Sequence, residues 1–171
     1  MEVREITSTE GQDYFKLRVQ SEIEYPEFVG FNAEKELESG ADKIGEILSN
    51  YPSNGTIVFG GFRNNKLIGV TALSRRLSPK YLHKAFMWGM YVLPDFRGTN
   101  AAKLLMQTAI DWASNHPEVI AITLQVTLSN VRGQRFYKRF GFNIFGTESN
   151  AICASGEFHG VYYMELSTIN N

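Results

Sequence analysis

Apolar positions along the chain recur with two periods, and the changes of period mark the elements. Val3 to Ile6 alternate weakly and predict a first strand. Ser8 or Thr9 can cap a helix running to about Glu22, with Tyr14, Leu17 and Ser21 on one face. Pro26 and Gly30 break the chain, and Asn32 is the next cap, because Leu37, Ala41, Ile44 and Leu48 form one helical stripe. The intervening stretch from Glu22 to Asn32 is acidic and carries Tyr25, Phe28 and Phe31, which either line a pocket or pack into the core. From Thr56 to Phe62 and from Lys66 to Ser74 the β-branched and aromatic content rises, and Asn64 and Asn65 suit the left-handed positions of a hairpin turn.

The most informative stretch follows a loop that begins at Ser78. Phe86 to Leu93 read as a buried strand, Pro94 and Asp95 punctuate it, and a helical pattern starts after Gly98 with Ala101, Leu105, Ala109 and Trp112, flanked by Ala102, Leu104 and Ala113. Small residues around Arg97 and Gly98 leave the first amides of that helix open. Free N–H groups, the positive end of a helix dipole and a guanidinium together suit an anion, most naturally a phosphate. Val119 to Val126 are almost continuously apolar, the mark of a strand buried on both faces, so strand, helix and strand form a βαβ unit with parallel neighbours. Asn130 to Phe140 then predict a helix with Phe136 and Phe140 on one face and Tyr137 on another, stopped by Gly141. Two closing strands, Asn143 to Thr147 and Val161 to Leu166, flank a loop containing Gly156 and His159.

Composition narrows the function. The chain has 171 residues and an ordinary share of apolar and charged side chains, so one domain with a sizeable core is expected. Charges near the N-terminus and the lack of any long apolar run argue against a signal peptide and a membrane span, and for a soluble cytoplasmic protein. Cys153 is the only cysteine, which excludes an internal disulfide and leaves a thiolate zinc site without ligands; no metal is expected. The net charge of −1 hides an asymmetry, because residues 1–50 carry twelve acidic and five basic side chains. An acidic first third beside a basic remainder suits one surface that meets a cation and another that meets an anion, and near-neutral overall charge argues against nucleic acid. No Gly-Lys-Ser/Thr follows the phosphate turn, so a P-loop hydrolase is excluded.

The run from Met90 to Gly98, with Asn130 and the aromatic segment Phe136 to Phe142 downstream, resembles the GNAT superfamily of acetyl-CoA-dependent N-acetyltransferases. Gly141 to Glu148 and Tyr163 to Leu166 resemble its last strands. The resemblance implies an α/β chain of the α+β type, a single domain over residues 1–171 with its core in 1–168. It implies a central mixed, splayed sheet of about six or seven strands, with helices on both faces. The cofactor's pantetheine arm would enter the gap where the strand ending at Val92 parts from its neighbour near Val126, pairing with backbone at Met90 and Val92. Amides from Met90 through Tyr91 to Val92 would steady the thioester oxygen. The pyrophosphate would rest on Arg97, Gly98, Thr99, Asn100, Ala101, Ala102 and Lys103, and Asn130 would hydrogen-bond the cofactor or cap its helix. Tyr137 would protonate the departing thiolate.

The superfamily pattern (Q/R)-x-x-G-x-(G/A) lands on Arg97, Asn100 and Ala102, and Asn100 departs from its glycine. By position, Glu22, Glu24, Glu148 and His159 are candidate bases, and Tyr25 and Phe28 candidate walls of the acceptor pocket. The implied reaction is transfer of acetyl from acetyl-CoA to a primary amine, a small molecule ahead of a peptide N-terminus or lysine, by direct attack without Cys153. The alternative is a non-catalytic acyl-CoA-binding or sensory module, for which Asn100 is the sequence support. A homodimer is compatible with either.

Overall fold

The structure, a computed structural model, describes residues 1–27, 38 and 40–169. A seven-stranded sheet forms its centre in the order β1-β2-β3-β4-β5-β7-β6. The strands are β1 (Glu2–Glu5), β2 (Thr56–Arg63), β3 (Lys66–Arg75), β4 (Lys84–Val92), β5 (Ala121–Thr127), β6 (Asn143–Ala154) and β7 (Glu157–Ser167). Neighbours are antiparallel throughout except β4 and β5, which run parallel and are joined by the expected helical crossover. The described helices are α1 (Gly11–Glu24), α2 (Ile44–Asn50), α3 (Ala101–Ser114) and α4 (Val131–Arg139).

Alternation along the strands feeds two cores, one on each face of the sheet. On one face Leu105, Met106, Ala109 and Ala113 of α3 bury against Ile68, Leu73, Ile122 and Leu124, and α4 adds Phe136, Tyr137 and Phe140 at the edge. On the other face Tyr14 and Leu17 of α1 and Ile44 and Leu48 of α2 cover Val58, Val70, Ala72 and Trp88. Each face therefore buries a full apolar stripe, the arrangement that gives a sheet with helices on both sides its stability.

Several boundaries differ from the sequence reading. Helix α1 is entered through a short 3-10 turn, Ser8–Glu10, whose cap is Thr7 rather than Ser8 or Thr9; Thr7 and Glu10 satisfy each other reciprocally in a capping box. The expected Asn32 cap, Leu37, Phe28 and Phe31 lie outside the described residues. Ala41 belongs to a turn, because Gly40 adopts φ +75° and the helix begins only at Ile44. On α3 the expected stripe of Ala101, Leu105 and Ala109 is buried together with Ala113, but Met106 rather than Leu104 completes it, and Leu104 is exposed. The loop expected around Gly156 and His159 is a tight turn at Ser155 and Gly156, both left-handed, so β6 and β7 extend into a long hairpin and His159 lies within β7. Asn64 and Asn65 do take the left-handed turn expected of them, with φ of 51° and 61°.

Candidate active site

The site starts from a fault in β4. Trp88 lies opposite Ala72 and Tyr91 opposite Val70, so three steps along β4 match two along β3. Gly89 absorbs the extra residue at φ +66°, a conformation that a side chain would strain. This bulge puts Trp88 and Tyr91, three residues apart, against the same core. Pairing between β4 and β5 is accordingly short, from Lys84–Ala121 to Phe86–Thr123. Beyond it the two strands part, and a cleft of about 1070 Å³ opens between Met87–Val92 and Gln125–Thr127, bounded by α1 on one side and α4 on the other. Strand groups freed from a ladder in this way can pair with an extended, amide-containing ligand.

At the end of β4 the chain turns through Pro94–Phe96 into α3. Gly98, at φ +78°, reverses the backbone with open space where a Cβ would sit. The Thr99 hydroxyl donates 2.7 Å to Phe96 O and accepts from Ala101 N at 3.2 Å, while Leu104 N bonds Asn100 O at 2.9 Å. The Thr99 hydroxyl thus satisfies one of the four orphan donors of the helix, and the Leu104 bond is its first regular one. The amides of Gly98, Thr99, Asn100, Ala102 and Lys103 find no acceptor among the described residues, so the turn presents a row of donors at the positive end of α3. Lys103 lines the cleft beside them, and Arg132 and Arg139 of α4 add charge of the same sign from across it.

Arg97 faces inward from this turn. Its Nε donates 2.9 Å to Val92 O and its Nη1 donates 3.1 Å to the Tyr25 hydroxyl, while Nη2 is ion-paired to Glu24. The Tyr25 and Tyr91 rings flank the guanidinium at 5.5 and 5.3 Å. Hydrogen bonding to Arg97 holds the Glu24 carboxyl below the usual carboxylate range. Burial would lower Arg97, but Glu24 outweighs it and the guanidinium titrates higher still. For Tyr91, burial and then the Glu24 charge push the phenol up to about 12. The cluster fastens the C-terminal end of α1 to the turn after β4.

Helix α4 supplies the opposite wall. Asn130 Oδ1 accepts 2.8 Å from Gly133 N, which makes it the helix cap, and Gln134 Nε2 donates to Thr127 O and Leu128 O at 3.1 and 3.0 Å, tying α4 to the end of β5. So held, the helix directs Tyr137 into the cleft between Phe136 and Phe142, at ring distances of 5.7 and 6.0 Å. Burial pushes the Tyr137 phenol up to about 12, so it keeps its proton at neutral pH and is competent to donate one.

A strand bulge that opens a parallel pair, followed by a donor-rich turn and faced by a helix with a buried tyrosine, is matched by a known family. The sequence model of the acetyltransferase (GNAT) family covers residues 19–142. The chain belongs to the GNAT family. Among curated proteins it is similar to an uncharacterized N-acetyltransferase of Mycobacterium tuberculosis, 38% identical over 81 residues that make up 45% of this chain and 49% of the relative. It is also similar to an L-amino acid N-acetyltransferase of Escherichia coli, 29% identical over 98 residues, 57% of this chain and 60% of that one. The chain thus spans about half the length of the first of these relatives and under two thirds of the second. A GNAT-family acetyltransferase from Streptococcus pneumoniae shares the fold at a TM-score of 0.85 and 18% identity, covering 97% of this chain and 98% of the other. A putative acetyltransferase of Salmonella typhimurium, solved with acetyl-CoA, superposes at 0.84 with 13% identity over 100% and 95% of the two chains.

Within this GNAT frame the cleft gathers most of the residues singled out in the sequence. Met90, Tyr91, Val92, Arg97, Gly98, Thr99, Ala102, Lys103, Asn130, Tyr137, Glu22 and Tyr25 line it. Ala101 does not: it is fully buried and its amide is taken by Thr99. Asn100 has φ −76° and ψ 2°, so the residue that departs from the family glycine needs no left-handed geometry, and the turn's positive φ is carried by Gly98 instead. Glu24 is consumed by Arg97. Glu148 and His159, expected near the substrate, stand on the β6–β7 hairpin away from the cleft lining; Glu148 accepts a hydrogen bond from the Tyr163 hydroxyl, and His159 faces Ile152 in the ladder. Phe28 lies outside the described residues. Within the acidic first third, Glu10 is held by Arg4 and Thr7 as Glu24 is by Arg97. The sequence reading missed Gly89, Arg18, Gln125, Arg132 and Arg139. Gly89, a glycine inside a strand pattern, and Arg18, a cation beside the apolar stripe of α1, were the available signals.

Proposed function

We propose that this chain transfers an acetyl group from acetyl-CoA to a primary amine, with a small molecule as acceptor, by direct attack within the cleft. The observation that carries this reading is the splay of β4 from β5 after Phe86, with the free amides after Gly98 at one end and Tyr137 across from it. The residues present fit the cofactor. The β4 edge freed from β5 around Met90 suits the amides of a pantetheine arm, with Val92 O already held by Arg97; the turn from Gly98 to Lys103 suits a pyrophosphate, and Lys103, Arg132 and Arg139 supply opposite charge. Acetyl-CoA, when bound, supplies an activated thioester whose carbonyl carbon forms the new C–N bond as the C–S bond breaks.

The chain's own groups then have separable tasks. Backbone donors of β4 near the bulge are placed to stabilise negative charge on the thioester oxygen, a term strengthened by exclusion of water. Tyr137 O–H gives its proton to the leaving sulfur. An acceptor amine is protonated at neutral pH and must lose a proton before attack. Of the four candidate bases, Glu22 is the one in the cleft wall, and it is assigned that proton directly or through one water. Cys153 is exposed near the hairpin tip and has no part in the transfer.

Calorimetry with acetyl-CoA on the wild type and on Tyr137→Phe, paired with turnover of an amine panel, tests the assignment. Both proteins are expected to bind acetyl-CoA alike, with turnover in the wild type and its loss in the variant. Full turnover in Tyr137→Phe would remove the acid, and binding without turnover in the wild type would favour a sensory module.

A further inference from the structure

Between two apolar neighbours on β5 stands one amide. Leu124 and Val126 pack into the core under α3, so Gln125 points to the opposite face of the sheet, the face of α1. The parallel register of β4 and β5 ends at Phe86–Thr123; carried two steps on, it would set Gln125 opposite Trp88, beside the bulge at Gly89. Gln125 therefore lines the cleft at the bulge and on the α1 side, whereas Tyr137 approaches from the face of α3 and α4.

The fold also decides which end of this carboxamide meets the cleft. On its other side β5 pairs with β7, and Gln125 stands directly opposite Tyr163. The Tyr163 hydroxyl donates to the Glu148 carboxylate, and the Phe145 ring lies 6.1 Å from the Tyr163 ring. A hydroxyl has one proton to give, so Tyr163 meets Gln125 only as an acceptor. Glu148 holds the phenol above its ordinary value and Gln125 works in the opposite direction, as a donor to the phenol oxygen must. With Nε2 turned to Tyr163, Oε1 is the end left to the cleft, an orientation set by the network rather than by the shape of the amide.

On the acyl-transfer reading above, the bulge is where thioester and amine meet, and an oxygen on the α1 side faces the amine rather than the sulfur. We infer that Gln125 binds the acceptor: its Oε1 receives one N–H of the attacking amine and turns the nitrogen lone pair towards the thioester, with Tyr163 and Glu148 as positioning residues. A neutral carbonyl oxygen accepts from the ammonium and from the free amine alike, so the contact survives the proton loss that must precede attack. A carboxylate at this place would favour the ammonium and hold the amine unreactive. The inference rests on the transferase reading.

The full chain can be assayed with ethylamine, benzylamine, 1,4-diaminobutane and glucosamine. Gln125→Met keeps the length of the side chain and removes the oxygen. Its kcat/KM for the amines should fall about tenfold, the worth of one neutral hydrogen bond, with acetyl-CoA affinity within about twofold of wild type. Tyr163→Phe frees the carboxamide to flip and should cost about threefold, yet nothing further in the Gln125→Met background, which a purely structural loss would not do. As a readout that needs no variant, 13C spectra of the wild type bound to CoA should show the Gln125 side-chain carbonyl signal moving as amine is added. Wild-type amine kinetics in Gln125→Met, a loss of acetyl-CoA affinity in their place, additive effects in the double variant, or a Gln125 signal that none of the amines moves would each overturn the inference. Absence of thiol release with all four amines would instead overturn the transferase reading on which it stands.

Discussion

Arg97 and Glu24, 73 positions apart, form an ion pair that ties the end of α1 to the turn after β4. The same guanidinium also holds Val92 O and the Tyr25 hydroxyl, so one side chain fixes the spacing between the end of α1 and the turn after β4. Each partner is about three-quarters buried, at 23% and 25% exposure, which lifts the pair above an ordinary surface contact.

Replacing Glu24 by Gln should therefore lower stability by about 1–2 kcal/mol. The same variant should weaken acetyl-CoA binding through loss of turn order. Arg97→Lys should fare no better, since one ammonium cannot serve three directions set by a planar fork. Thermal melts and acetyl-CoA titration of the two variants check this; wild-type values in both would remove the clamp.

Gly89 is the geometric origin of the cleft. Ala at this position must adopt φ near +66°, so Gly89→Ala is expected to cost about 1 kcal/mol and to impair turnover more than stability. By contrast Asn100→Gly restores the family residue where no left-handed backbone is used. It should leave acetyl-CoA affinity within about twofold, and a large gain would show that Asn100 obstructs the cofactor.

Tyr137, held near 12 by burial, remains protonated over the whole range in which the amine loses its proton. The rate should thus rise with pH as more amine becomes neutral, with no alkaline loss traceable to Tyr137 below about pH 10. Tyr137→Phe should reduce kcat by about 100-fold or more at unchanged acetyl-CoA affinity. Initial rates from pH 6 to 10 for both proteins provide the check.

Glu10 links stability to acid. Burial would raise its carboxyl, but bonds from Arg4 and Thr7 prevail and hold it at about 2, against an ordinary value of 4.5. Because the folded value lies below the unfolded one, this stabilisation is complete above about pH 4.5 and disappears as pH falls through 2. Glu10→Gln should cost about 1 kcal/mol at pH 7 through the capping box, and the difference from wild type should shrink below pH 4. Denaturant melts at pH 7 and pH 3 measure it.

Much of this was legible in the chain because local signals and tertiary roles agreed. The apolar run before Pro94, the small residues after Arg97 and the paired aromatics of α4 each specify their own element. The Asn64–Asn65 turn likewise needs nothing beyond its two residues. What escaped depended on distant partners. Arg97 reads as a phosphate ligand until Glu24 and Tyr25 arrive from α1, and Glu148 reads as a base until Tyr163 claims it. His159 seemed to belong to a loop because Ser155 gives no warning that it will take a left-handed conformation beside Gly156.

The central claim is that the cleft opened by the β4 bulge carries out acetyl transfer to an amine. Its most direct test is the release of free CoA thiol from acetyl-CoA, followed against an amine panel and matched to acetylated product by mass spectrometry. Amine-dependent thiol release, equimolar with N-acetylated product and lost in Tyr137→Phe, is the predicted result. Tight acetyl-CoA binding with no thiol release for any amine would contradict it.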